Sequence, residues 1–303
     1  MARRRKGNPV HGWLVIDKPV GIGSTNVVSK LRWALRAQKA GHAGTLDPLA
    51  SGALAVAFGE ATKTVPYVMD GAKRYEFTVG WGRATATDDL EGETVSESDA
   101  RPTREAILAV LPGFRGRIMQ MPPVYSAIKV EGRRAYVTAR SGGMPELAAR
   151  PLHVAALDLI EAREDAARFA FTCGKGGYVR SIARDLGEAL GCHGHVTALR
   201  RLSTGPFDVA DGVAWDVDTF DAVRAGEASV SLLPVATALS HIPRFEAAQT
   251  QVGRLRNGNP VEARGLSLGY GDTCWGALEG EPVAIGTYKA GMLHASRVFV
   301  FDS

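Results

Sequence analysis

Cysteine is scarce in this chain: Cys173, Cys192 and Cys274 are widely spaced, odd in number and free of any CxxC pair. Such spacing supports no disulfide framework and fits a reducing cytoplasm. Long apolar runs are missing too, since Ala53 to Phe58 falls far short of the roughly 20 residues that a membrane-spanning helix needs. No membrane association is expected. Arg3 to Lys6 looks like the start of an export signal, yet Asp17 and Lys18 interrupt the only apolar stretch that could follow, so export is not expected. Nucleotide-binding motifs are incomplete: Gly21 and Gly23 lack the third glycine of a dinucleotide fingerprint, and no GxxxxGKS or GxxxxGKT run occurs. Cys192-His193-Gly194-His195 is the only cluster of metal-ligating types and lacks a well-spaced fourth ligand. Neither metal nor cofactor is expected. Acids are nearly absent from residues 1–40, where nine basic residues (Arg3, Arg4, Arg5, Lys6, Lys18, Lys30, Arg32, Arg36, Lys39) face Asp17 alone. That asymmetry points to a polyanionic partner, although the net charge of the chain is only +4.

What remains is ordinary globular material. With 45% apolar and 22% charged residues in 303, the chain can bury a substantial core, in one large domain or two unequal ones. Gly12 to Ile16 reads as a short buried strand ending in the turn Asp17-Lys18-Pro19. A helix follows, with Ser24 or Thr25 available as its cap and Val27, Val28, Leu31 and Leu35 at helical spacing, so that Lys30, Arg32 and Lys39 fall on other faces. Lys73 to Trp81 alternates strictly, as a half-buried strand does, with Tyr75, Phe77, Val79 and Trp81 on one face. Beyond a polar loop from Thr85 to Glu97, a helix is expected at Ala106 to Leu111, and strands at Leu152 to Ile160 and Ala167 to Thr172. Val179, Ile182, Leu186 and Leu190 mark a helix, with Arg180 and Arg184 one turn apart on another face.

The irregular interleaving of strands and helices favours an α+β core with a mixed, mainly antiparallel β-sheet flanked by helices. Past residue 230 the texture changes to a short helix and short strands separated by Gly/Pro turns, a small β-rich tail. The expected domains are 1–230 and 231–303, with the border in the weakly patterned segment around Pro234 and Pro243.

One loop stands out chemically: Gly41-His42-Ala43-Gly44-Thr45-Leu46-Asp47-Pro48-Leu49-Ala50-Ser51-Gly52 presents a single carboxylate among small and apolar neighbours. Pro48 excludes Asp47 from the α region and the glycines permit tight turns, so the carboxylate can be held rigidly, as a nucleophile requires. An isolated Asp-Pro serves equally well as an Asx-type turn. The wider pattern decides between them. The dodecapeptide resembles the catalytic loop of the TruB family of pseudouridine synthases, GHxGxLDPxAxG, with Ala43 departing from the polar residue many relatives carry. By that resemblance Asp47 is the catalytic aspartate and His42 accommodates a flipped-out nucleotide.

Further segments extend the likeness over most of the first 205 residues. Asp17-Lys18-Pro19-Val20-Gly21 is similar to the family's DKPxG turn, whose lysine, here Lys18, supports the active site. Lys73-Arg74-Tyr75 resembles the KxY strand, which makes Tyr75 the residue that stacks on the target uracil and a candidate for proton transfer. Periodicity alone would make Tyr75 a core tyrosine. Thr85-Ala86-Thr87-Asp88-Asp89-Leu90-Glu91-Gly92 resembles TxTxDxxG, which assigns the polar contact to the base to Asp89 and not to Asp88. Pro122 to Gly132 resembles PPxYSAxKxxG, leading into an RNA-gripping loop where Lys129, Arg133 and Arg134 would meet phosphates. Gly176 to Arg180 resembles GxYxR, in which Tyr178 packs at the pocket and Arg180 pairs with the catalytic carboxylate. Ala198 to Leu202 resembles a strand whose leucine, Leu199, lines the pocket.

The resemblance implies a pseudouridine-synthase core with a PUA-like RNA-binding tail. It implies isomerisation of uridine 55 in the T arm of tRNA by base flipping, carried out by a cytoplasmic monomer needing neither cofactor nor protein partner. Three rivals share parts of this sequence: a guide-RNA-dependent relative of the dyskerin type, a non-catalytic RNA-binding or RNA-folding protein, and a small-molecule α/β enzyme such as a dehydrogenase.

Overall fold

The computed structural model describes residues 7–130 and 132–301, so the basic run Arg3 to Lys6 lies outside the described residues. The chain forms two compact units. The first contains the chain up to Asp47, Ala53–Asp70 and everything from Thr204 onward; the second contains Pro48–Gly52 and Gly71–Ser203.

In the second unit the strands run in the order Gly194–Thr204, Lys73–Trp81, Ala166–Cys173, Arg150–Ala162, Gly116–Gln120. The last three junctions are antiparallel, with Phe77 opposite Phe169 and Tyr75 opposite Phe171. On the other side of Gly194–Thr204, residues 50–52 pair with it in parallel, Leu199 opposite Ala50 and Gly52 opposite Arg201. Gly52 has φ 101°, and a Cβ there would lie 2.1 Å from the Arg201 carbonyl oxygen, so this approach of two backbones requires glycine. The alternation read for Lys73–Trp81 is realised: Tyr75, Phe77, Val79 and Trp81 are buried with Phe169 and Phe171. Val179, Ile182, Ala183 and Leu186 of the helix Val179–Ala189 complete the same core cluster. These four recur at i, i+3, i+4 and i+7, the stripe that lays a helix on a sheet. The stretch expected as a polar loop from Thr85 to Glu97 takes part in a small hairpin, Arg83–Thr85 against Thr94–Glu97, because the pairing depends on partners nine to fourteen positions apart.

In the first unit Gly12–Lys18 runs parallel to Val213–Ala214, and Ala40–His42 runs antiparallel to Ala50–Phe58, with His42 opposite Val56. The strand Ala50–Phe58 thus starts in one unit and ends in the other. Helix Ser24–Ala34 buries Val27, Leu31 and Ala34 and leaves Arg32 and Trp33 exposed. A separate five-stranded sheet in the order Arg244–Glu246, Thr273–Leu278, Glu281–Lys289, Met292–Val298, Val261–Glu262 forms the β-rich C-terminal part. Some of its apolar residues pack among themselves, around Phe245, Leu255 and Leu293. Trp275, Ala277, Ile285 and Phe299 instead share a cluster with Trp13, Val15 and Ala53. The packing units therefore do not divide the chain at the expected 230/231 border. The fold class itself is the one expected, mixed α and β with a β-rich C-terminal part.

Candidate active site

Asp47 is half-buried and ends the first segment of the first unit. Its loop is nailed down on both sides. Upstream, Ala43 is fully buried and its amide donates to the Ala55 carbonyl at 3.0 Å, which explains why a small apolar residue stands there. Immediately before Asp47, buried Leu46 is held by Ser24 in both directions: the Ser24 hydroxyl donates to the Leu46 carbonyl at 2.8 Å, and the Leu46 amide donates to Ser24 Oγ at 2.8 Å. The sequence offers Ser24 or Thr25 as a helix cap. The helix Ser24–Ala34 is instead preceded by Gly23 with no side-chain cap, because the buried hydroxyl is committed to the loop. With Pro48 restricting Asp47 from the other side, the carboxylate sits on a fixed backbone. Ser24→Ala is expected to cost about 1–3 kcal/mol, the penalty for two buried backbone groups without their partner, read as a lower urea midpoint at unchanged m value.

Lys18 is fully buried at the end of the strand Gly12–Lys18, and its ammonium donates to the carbonyls of Pro19 and Ile22, both at 2.9 Å. A buried cation holding two turn carbonyls fixes the Asp17 to Gly23 turn from inside. His42 is partly buried on the short strand that leads into the loop.

The remaining candidates lie in the second unit. Tyr75 is almost buried, packed beside Phe171 with ring centroids 6.1 Å apart, so it is part of the core that periodicity indicated. Leu199 is partly buried against the same core. Arg180 is the second residue of the helix Val179–Ala189, yet it is buried, with its side chain 8% exposed. Its guanidinium donates to the Thr87 carbonyl at 3.1 Å and the Tyr125 carbonyl at 3.0 Å, and lies 3.6 Å from the Asp89 carboxylate. Tyr178, the residue before this helix, is clamped by Gln120. The Tyr178 amide donates to Gln120 Oε1 at 2.9 Å, and Gln120 Nε2 donates to the Tyr178 carbonyl at 3.1 Å. Gln120 is buried at the end of its strand and carried no signal in the sequence except its place before the Pro122-Pro123 segment.

The TxTxDxxG segment has a local physical reason at each position. Thr85 Oγ1 donates to the Asp89 carbonyl at 2.7 Å, the Thr87 hydroxyl donates to the Asp89 carboxylate, and the Glu91 amide donates to the same carboxylate at 3.0 Å. At Gly92 a Cβ would stand 2.5 Å from Thr87 Oγ1 and 2.6 Å from the Thr87 amide. Asp89 is thus a buried carboxylate surrounded by donors and facing Arg180. Its neighbour Asp88 points elsewhere, onto Arg184 at 3.2 Å. Lys129, Arg133 and Arg134 are exposed on the tiny hairpin of Lys129–Val130 and Arg133–Arg134. Among the described residues no group of three His, Cys, Asp or Glu is disposed to hold a metal ion, and no helix is long and apolar enough to cross a membrane.

Residues 32–179 match the model for the TruB family pseudouridylate synthase N-terminal domain, and residues 180–240 match the tRNA pseudouridylate synthase B C-terminal domain. The chain is 54% identical over 301 residues to tRNA pseudouridine synthase B of Cereibacter sphaeroides, covering 99% of both chains. It is 53% identical over 296 residues to tRNA pseudouridine synthase B of Paracoccus denitrificans, covering 98% of both. Among solved structures, a chain of a Cbf5-Nop10-Gar1 complex is similar with a TM-score of 0.74 and 25% identity, over 96% of this chain and 85% of that one. The chain belongs to the TruB family of pseudouridylate synthases.

Proposed function

We propose that this protein isomerises uridine 55 in the T loop of tRNA to pseudouridine, with Asp47 as the nucleophile. The observation that carries the reading is the loop of residues 41–52, in which buried Ala43, Leu46 and Ser24 hold one half-buried carboxylate on a backbone with little freedom. Near-full-length identity to proteins named tRNA pseudouridine synthase B supports tRNA as the substrate.

The reaction breaks the C1′–N1 bond, turns the uracil and joins C1′ to C5; N1 gains a proton and C5 loses one, so nothing is oxidised and no group donor enters. The target base leaves its stack and Tyr75 replaces the lost stacking. Asp47 attacks either C6 of the base or C1′ of the ribose, and Tyr75 is the candidate for the proton transfer. Arg180, a buried fork of donors, orients the carboxylate it faces. By the family resemblance His42, Asp89, Tyr178 and Leu199 each contact the extruded nucleotide, and Lys18 supports the turn it holds from inside. Exposed Lys129, with Arg133 and Arg134 beside it, meets the phosphates, a contribution that weakens with salt.

Residues 231–303 are read as a PUA-like RNA-binding domain. An open groove of about 700 Å³ there, lined by Gln251, Arg254, Arg264, Leu266 and Tyr288 among others, supports that role. The protein acts as a cytoplasmic monomer without cofactor or partner protein.

The test is carbodiimide mapping of an unmodified tRNA transcript after incubation with the protein in EDTA. A stop at position 55 is the expected result. Binding of tRNA without any pseudouridine overturns the assignment in favour of a guide-dependent or purely RNA-binding protein.

A further inference from the structure

We propose that Asp88 and Arg184 are a positioning pair, which locks the 85–92 turn onto the helix Val179–Ala189 and thereby sets the attitude of Arg180. This rests on the function proposed above. Arg180 and Arg184 stand one helical turn apart and reach the same two stretches of chain. Arg180 takes the Thr87 carbonyl, the Asp89 carboxylate and the Tyr125 carbonyl; Arg184 takes the Asp88 carboxylate at 3.2 Å, the Met121 carbonyl at 2.9 Å and, on its own helix, the Asp185 carboxylate at 2.9 Å. Ser181 Oγ adds a bond to the Met121 carbonyl at 2.7 Å. The arrangement is possible because Asp88 adopts φ 59°, a left-handed conformation that aspartate tolerates, and its amide is bonded to the Thr85 carbonyl at 3.2 Å. With Asp88 left-handed, two consecutive carboxylates meet two arginines of one helix. The Arg180 to Asp89 contact, at 3.6 Å, is longer than a direct hydrogen bond, so the shorter Arg184 to Asp88 contact is the second point that stops the turn from rocking.

Stability is not what this pair supplies. Burial pushes the Asp88 carboxyl up to about 6, against the opposite pull of Arg184 and Arg180 and with Asp185 and Asp89 adding to the rise. A carboxyl raised in the fold contributes stability below its unfolded value, and that contribution is lost as pH rises through about 6. At neutral pH the fold therefore holds an ionised Asp88 at a cost, which is understandable if the charge orients Arg184.

Asp88→Asn, which keeps the shape and tolerates φ near 59°, Arg184→Met and the double variant test the pair. Each single change is expected to lower kcat for pseudouridine formation about tenfold with KM moving less than about twofold, and the double to be no slower than the worse single. The wild-type rate is expected to fall through an acid limb near pH 6 that Asp88→Asn lacks, while the thermal midpoint of Asp88→Asn at pH 7.5 is equal to or above that of the wild type. Wild-type kcat in both single variants, additive losses in the double, an acid limb that survives in Asp88→Asn, or slower turnover that merely tracks a lower thermal midpoint each overturns the proposal. Absence of product from the wild type itself sinks the parent function and the pair's role with it; product from the wild type with unaffected variants sinks the pair alone.

Discussion

Asp47→Asn is expected to abolish pseudouridine formation, by at least about a thousandfold in single-turnover rate, while leaving tRNA affinity and folding close to wild type. The substitution conserves shape. An asparagine can sit on the same Pro48-restrained backbone, and the Ala43 to Ala55 bond and the two Ser24 to Leu46 bonds that anchor the loop are made by its neighbours. What is lost is the anionic oxygen. A carboxamide does not attack C6 or C1′, and no other carboxylate is offered by the 41–52 loop. Burst kinetics on radiolabelled transcript, with affinity from filter binding, separates the two effects. Retention of more than a few per cent of the wild-type rate would remove Asp47 from the nucleophile's role.

Arg180→Met should damage both folding and turnover. The guanidinium is buried and serves the carbonyls of Thr87 and Tyr125 together with the Asp89 carboxylate, so a thioether leaves two carbonyls without this donor and one buried carboxylate without this cation. Breaking a buried pair from one side costs about 3–5 kcal/mol, and activity is expected to fall by about a hundredfold or more. Arg180→Lys restores the charge but not the fork, because one ammonium nitrogen cannot stand in both places where the two guanidinium nitrogens reach Thr87, Asp89 and Tyr125; an intermediate stability with activity still strongly reduced is expected. Denaturant unfolding and kcat for the two variants check this together. If Met is as active as Arg, the residue is a structural cross-link and nothing more.

The elements were the most legible part of this molecule. Lys73–Trp81 is a strand over the same residues that alternate in sequence, and the helix marked by Val179, Ile182, Leu186 and Leu190 occupies Val179–Ala189. Both follow from rules that act within one turn or one pleat. The candidate site was legible as chemistry, since the spacing of the loop, of TxTxDxxG and of GxYxR names residue types whose backbone constraints are local. Even Gly92 and Thr87 obey a contact between residues five apart.

Long-range commitments were not legible. Ser24 has the residue type and place of a cap, but its hydroxyl lies beside Leu46, twenty-two positions away, and a fully used hydroxyl cannot also cap a helix. Gln120 has no motif, yet its amide fits the Tyr178 backbone fifty-eight positions on. Asp88 and Asp89 differ by one position, and no spacing rule says which meets Arg180 and which Arg184. By itself, then, the sequence determined the periodic elements, the mixed α and β class and the chemical groups on offer, because those depend on neighbours along the chain. The tertiary structure decided which groups are joined, since a side chain's partner depends on where distant backbone arrives and on how little room burial leaves for an unsatisfied donor or charge.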